Sequence, residues 1–105
     1  MDKKIIVVMP AYNAEFTLEK TVLDLPLDYV DEIILVDDAS KDKTIELAKT
    51  IGGNHKKLTL SLADYVEKQG KVLFTLAKHD YNKGYGGNQK KCYSLALEHG
   101  ADIVV

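Results

Sequence analysis

Blocks of apolar residues with two different spacings alternate along the chain. Lys4-Ile5-Ile6-Val7-Val8-Met9 leads as a β-branched run into Pro10. Such a run marks a strand buried on both faces, a central parallel strand, which Pro10 is expected to end. Leu18, Val22 and Leu25 then recur at i, i+4 and i+7, the spacing of a helix with one buried stripe; Asn13 can cap it and Pro26 stops it. Glu32-Ile33-Ile34-Leu35-Val36 repeats the strand signature, with Asp37-Asp38 at its carboxyl end. The next helix is capped by Ser40 or Asp42, buries Ile45, Ala48 and Ile51, and closes at Gly52-Gly53.

Ser61 with Asp64, followed by Leu62, Tyr65 and Val66 as an amphipathic stripe, predicts a short helix within residues 54–70. Lys71-Val72-Leu73-Phe74-Thr75-Leu76-Ala77 is a third strand. A polar, glycine-rich segment from His79 to Gln89 opens a third helix, with Cys92, Leu95, Ala96 and His99 on one face and Gly100 just past its end. Ala101-Asp102-Ile103-Val104-Val105 begins a fourth strand. Strands and helices in this order imply a parallel sheet with helices on both faces and right-handed crossovers. No repeat or linker interrupts residues 1–105, which read as a single domain. An apolar strand start at Val105 without a polar terminator predicts that the domain is incomplete, with an open sheet edge at Ile103-Val104-Val105 through which copies can associate.

Composition narrows what such a chain can do. It is 46% hydrophobic and 29% charged over 105 residues, which fits a globular chain and excludes a disordered or collagen-like one. The single cysteine, Cys92, cannot form an intrachain bridge, so a reducing cytoplasm is the expected setting. No apolar run approaches the roughly 18 residues that span a bilayer, and no membrane segment is expected in these residues. The formal charge of -2 hides an asymmetry: residues 1–50 carry eleven acids and six lysines, residues 51–105 five acids and eight lysines. Neither half has a dense basic stripe, which argues against nucleic acid as a partner. Arginine is absent from the sequence, so a phosphate would be held by lysine, backbone N–H groups or a metal.

Ligands of open parallel sheets bind beyond the carboxyl ends of the strands, where loops gather and helix N-termini point. Three clusters fall at that edge. In Pro10-Ala11-Tyr12-Asn13, Pro10 fixes the chain's exit, Tyr12 offers a flat face on which a base can stack, and Asn13 caps the helix or bonds a ligand. In Asp37-Asp38-Ala39-Ser40 the two carboxylates point to opposite faces and cannot share one role; they either accept hydrogen bonds from a base or ribose or complement the next helix. In Asn82-Lys83-Gly84-Tyr85-Gly86-Gly87-Asn88-Gln89 glycines permit close backbone approach, and Lys83 beside a helix start favours phosphate. The segment lacks a glycine at position 89 and follows the third strand, so it is not the dinucleotide fingerprint, and the lysine spacing of a phosphate-binding loop is absent. His55, His79 and His99 share no metal-ligand spacing and are expected in structural or surface roles. Cys92 reads as a small core residue.

Taken in order, Val7-Val8-Met9-Pro10-Ala11-Tyr12-Asn13, Glu32-Ile33-Ile34-Leu35-Val36-Asp37-Asp38-Ala39-Ser40 with Asp42 and Thr44, and Asn82-Lys83-Gly84-Tyr85-Gly86-Gly87-Asn88 resemble the N-terminal half of a family 2 glycosyltransferase. The flavour is similar to the dolichol-phosphate-mannose synthase-like branch, and the resemblance covers nearly all of the chain outside residues 54–70. It implies an α/β, Rossmann-like three-layer sandwich with a mainly parallel sheet, the truncated N-terminal half of a GT-A fold. The family transfers a sugar from a UDP- or GDP-sugar to an acceptor, such as a polyprenyl phosphate or a glycan, with inversion and the help of a divalent metal, Mg or Mn.

By that resemblance Pro10, Ala11 and Tyr12 line the base pocket, Asp38 bonds the base or ribose, and Lys83 with Gly84 closes on the nucleotide; Asn13 and Asp37 complete the expected nucleotide-binding set. The family's metal-binding Asp-x-Asp lies at the end of the fourth strand, past Val105, and its catalytic base lies further on. No catalytic residue or metal ligand is therefore expected here, and the chain alone is expected to bind nucleotide without transferring sugar. Membrane association, on this view, belongs to a full-length protein. Two rivals stand beside this reading: a non-catalytic Rossmann-like binding or assembly module, and a receiver-like signalling domain suggested by the acidic pair.

Overall fold

Strand β2, Glu32–Asp37, is buried along its whole length and lies between β1, Ile5–Ala11, and β3, Leu73–Lys78. These elements come from a computed structural model that describes residues 3–26, 29–51 and 72–105. Helix α1 is Leu18–Leu23, α2 covers residues 44–51, α3 is Gly84–Glu98, and the short strand β4 is Ile103–Val104. The four strands run parallel in the order β3-β2-β1-β4. That is the order of a Rossmann-like sheet, not of a receiver domain, whose acidic pair would follow the first strand.

Each face of the sheet has its own apolar core, which makes three layers. Val7, Ala11, Ile33 and Leu35 face Leu18 and Val22 of α1 and Ala48 and Ile51 of α2. Ile6, Ile34 and Val36 face Cys92 and Ala96 of α3. Alternate residues of the same apolar run thus serve opposite layers, which is why these strands show no polar alternation. Burial pushes the Cys92 thiol up to about 11, in keeping with its expected place in the core.

Several boundaries differ from the sequence expectation, each for a physical reason. Pro10 does not end β1; it pairs in register with Val36 and the strand continues to Ala11. Odd residues of β1 bond toward β2, as in Asp38 N–H to Ala11 O, while even residues bond toward β4, as in Val8 N–H to Val105 O. The hydrogen that Pro10 lacks would point to the β4 side beyond the last described pairing, where proline is tolerated. Asn13 does not cap α1: the helix starts at Leu18 after Thr17, and Asn13 takes a positive φ of 50°. The second helix does bury Ala48 and Ile51, but Ile45 is only half-buried. Of its two candidate caps Asp42 acts, its Oδ1 accepting Thr44 N–H at 2.9 Å. The glycines at 84, 86 and 87 lie inside the first turn of α3, so the helix starts within the glycine-rich segment. Gly84 takes a φ of +80°, and a Cβ on Gly87 would come 2.9 Å from the Lys83 Cβ. The fourth strand is confined to two residues, with Ile103 and Val105 42% and 66% exposed. The predicted helix within 54–70, together with Gly52, Gly53 and Lys71, lies outside the described residues.

Candidate nucleotide site at the carboxyl edge of the sheet

The loops after β1 and β2 are laced together by their polar side chains. Ser40 Oγ accepts the Asn13 N–H at 2.8 Å, and Asn13 Oδ1 accepts the Lys41 N–H at 2.9 Å. Thr44 Oγ1 accepts Ala14 N–H at 2.8 Å, and Asp42 Oδ2 accepts Glu15 N–H at 3.2 Å. Asp37, fully buried, folds its carboxylate back onto its own turn, taking Ser40 N–H at 2.8 Å and the Ser40 hydroxyl. Burial works to raise the Asp42 pKa, but the hydroxyl and N–H of Thr44 and the N–H of Glu15 outweigh it and hold the carboxyl below its usual range. Asn13, Asp37, Ser40, Asp42 and Thr44 therefore form a clamp that fixes two loops relative to each other.

Asp38 is turned to a different use. Its N–H donates to Ala11 O at 2.9 Å, so its backbone is pinned to the end of β1. Its carboxylate is only 2% exposed as part of a buried residue, and Oδ1 receives two donors: the Lys83 N–H at 2.8 Å and His79 Nδ1 at 2.9 Å. The Gly84 N–H also faces this carboxylate. Burial pushes the Asp38 pKa up; the Lys83 N–H, the His79 ring and the nearby Gly84 N–H push it down further, and the net result lies below the usual carboxylate value. Asp38 is thus ionised at neutral pH, an acceptor with one oxygen already saturated.

Two adjoining hollows open at this edge, the smaller of them beside this carboxylate. One, of about 250 Å³, is lined by Pro10, Ala11, Tyr12, Asp38, Asn82, Gly84, Tyr85 and Asn88. The other, of about 630 Å³, lies between the loop after β2 and the loop after β3, and its walls include Tyr12, Ala39, Ile45, His79, Tyr81 and Asn82. Tyr12, half-exposed, and Asn82 line both. Asn82 braces the junction: its Oδ1 accepts Gly84 N–H at 2.8 Å and its Nδ2 donates to Asp38 O at 3.3 Å.

The structure brings together Pro10, Ala11, Tyr12, Asp38 and Gly84 around the smaller hollow. It does not bring Asn13 or Asp37 there, since both are spent in the loop clamp. Lys83 reaches Asp38 through its backbone N–H, while its ammonium lies over the Tyr81 ring, 5.3 Å from the centroid. Among the described residues no group of three or more His, Cys, Asp or Glu side chains converges as a metal-ion site. The sequence expectation placed all three histidines in structural or surface roles. His99 bonds Glu32 at the opposite edge, His79 is buried against Asp38 at this one, and His55 is outside the described residues. The signal for His79 was positional. With β2 and β3 level at Asp37 and Lys78, the residue after each strand stands beside the other.

A chain with this sheet order belongs to the broad class of Rossmann-like α/β proteins, and comparison narrows the class. Residues 6–99 match the family model described as glycosyl transferase family 2, and the chain belongs to that family. It is 36% identical over 104 residues to the UDP-N-acetylglucosamine–dolichyl-phosphate N-acetylglucosaminyltransferase of Methanococcus voltae, covering 99% of this chain and 40% of that protein. It is 33% identical over 97 residues to a dolichyl-phosphate beta-glucosyltransferase of Dictyostelium discoideum, covering 81% of this chain and 25% of that protein. The expected dolichol-phosphate branch agrees with both relatives, of whose length this chain spans less than half. A solved mannosyltransferase from Pyrobaculum calidifontis, in complex with GDP-Man and Mn2+, aligns over 96% of this chain and 25% of its own at 22% identity and a TM-score of 0.49. No described helix is long and apolar enough to cross a membrane.

Proposed function

We propose that the chain is the nucleotide-sugar-binding part of a glycosyltransferase, and that Tyr12 and Asp38 grip the nucleoside. The observation that carries this reading is their convergence: a half-exposed phenol ring and an ionised carboxylate, 26 positions apart, line one hollow of about 250 Å³. The Tyr12 ring stacks on the base, and Asp38 Oδ2 accepts its ring N–H, the donor that uracil N3 and guanine N1 share. The ribose and diphosphate then run toward Gly84 and the start of α3, whose first turn contains no acid and whose N–H groups favour an anion. The clamp of Asn13, Ser40, Asp42 and Thr44 keeps the two walls at a fixed spacing.

Family membership extends the proposal to a UDP- or GDP-sugar donor, a polyprenyl-phosphate acceptor like that named for the relatives, and transfer with inversion. Binding without transfer is the activity proposed for this chain alone. Self-association through the open edge of β4 completes the reading; light scattering over a wide concentration range tests it, and a constant monomer mass removes it. The main test is calorimetric titration with UDP and GDP. Saturable binding that falls roughly 10- to 100-fold in Asp38→Ala, the loss of one charge-assisted hydrogen bond, supports the proposal. Equal binding by wild type and Asp38→Ala refutes it.

A further inference from the structure

We propose that His79 is the positioning residue for Asp38, and that by holding that carboxylate in one rotation it sets the site's preference for a base bearing a ring N–H. The inference rests on the nucleotide reading above and adds to it a determinant of base choice. His79 follows β3 directly, and its N–H donates to Asp37 O at 2.8 Å, extending the β2–β3 pairing by one residue. The ring is 8% exposed, and Nδ1 sits 2.9 Å from Asp38 Oδ1. An ionised carboxylate can only accept, so Nδ1 carries the hydrogen, and the tautomer is fixed by that partner.

One donor would not be enough. The terminal torsion of an aspartate is broad and nearly two-fold, so a carboxylate held by a single N–H can swing and exchange its oxygens. Here Oδ1 is held from two directions: by Lys83 N–H at the start of α3 and by His79 at the end of β3. The backbone beneath it is fixed by Ala11 O and Asn82 Nδ2. With Oδ1 occupied twice, Oδ2 has one orientation to offer a ligand. Uracil and guanine present a hydrogen to it. Cytosine presents a ring-nitrogen lone pair at the corresponding position and is repelled, and rejection of this kind is strongest when the acceptor cannot turn away. A histidine that merely filled space between β3 and the neighbouring loop would support all nucleotides equally.

The test is titration of UDP, GDP and CDP into wild type, His79→Ala, His79→Asn and Asp38→Asn, each checked for folding by circular dichroism. Wild type is expected to favour UDP and GDP over CDP. His79→Ala should cut that preference by roughly three- to tenfold, the worth of one hydrogen bond, chiefly by loss of UDP and GDP affinity. His79→Asn, whose amide can donate from near the Nδ1 position, should restore most of it. An unchanged preference in folded His79→Ala, or an asparagine no better than alanine, overturns the role of His79 and leaves the nucleotide reading intact. Wild type that binds none of the three, or binds CDP as well as UDP and GDP, overturns both. Should His79→Ala fail to fold, the ring tautomer of wild type decides: long-range proton–nitrogen correlations should show hydrogen on Nδ1, and a ring carrying its hydrogen on Nε2 alone refutes the proposal.

Discussion

Strand β2 carries a buried carboxylate at each end, and each is held by the Nδ1 of a histidine: Glu32 to His99 at 2.7 Å at the amino end, and Asp38 to His79 at 2.9 Å just past the carboxyl end. The partners make the difference. Glu32 Oε2 also takes the Thr75 hydroxyl at 2.7 Å, while the Lys4 ammonium lies 3.7 Å from Oε1. That ammonium in turn donates to His99 O at 2.6 Å. The amino-end carboxylate thus ties β1, β2, β3 and the end of α3 into one knot made of side chains. Asp38 has fewer partners, one of them a backbone N–H, and it borders a hollow. Similar chemistry therefore serves cohesion where the helix end closes over it and, under the proposed function, recognition where the loops stand apart.

If the two ends differ in this way, substitution should separate stability from binding. The largest effect is expected from Glu32→Ala, which strands His99, Thr75 and Lys4. It should lower unfolding free energy by about 2–4 kcal/mol in urea titration, with nucleotide affinity of the folded protein unchanged. Asp38→Ala should do the reverse, abolishing most binding while costing about 1 kcal/mol, because water entering through the hollow can satisfy the freed donors. A loss of stability in Asp38→Ala as large as in Glu32→Ala would break the comparison.

Acid sharpens it. The folded pKa of Asp38 lies below its unfolded value, so its contribution to stability is fully present above the ordinary carboxylate pKa and is lost as pH falls through the lower folded one. Asp42 behaves likewise. Wild type should lose stability on acidification below about pH 4, and Asp38→Asn with Asp42→Asn should lose less over the same interval by chemical denaturation. The smallest effect concerns Gly87→Ala. Alanine is the better helix former by about 1 kcal/mol, yet its Cβ would meet Lys83 Cβ at 2.9 Å and displace the turn that delivers the Lys83 N–H to Asp38. Little change in melting temperature with a few-fold weaker nucleotide binding is the expected result, read by calorimetry.

Much of this was legible in the residues because it depends on local pattern. Unbroken apolar runs marked β1 and β2, and position at a strand's end marked Tyr12 and Asp38. What was not legible depends on partners far along the chain. Asn13 reads as a helix cap, but its side chain bonds the Lys41 N–H, 28 residues away. His79 and His99 look alike until the sheet register places one beside Asp38 and the α3 terminus places the other beside Glu32. The glycines after Lys83 open α3 as their position suggests, but the close approach of Gly87 to Lys83 appears only in the folded turn.

Amide chemical-shift mapping during titration with UDP and GDP shows whether a nucleotide settles at the carboxyl end of β2. Concerted shifts of the Tyr12, Lys83 and Gly84 amides are expected, with those of Glu32 and His99 still. Perturbations gathered at the Glu32 end, or in the groove bordered by Phe16 and Leu47, would contradict the proposed site.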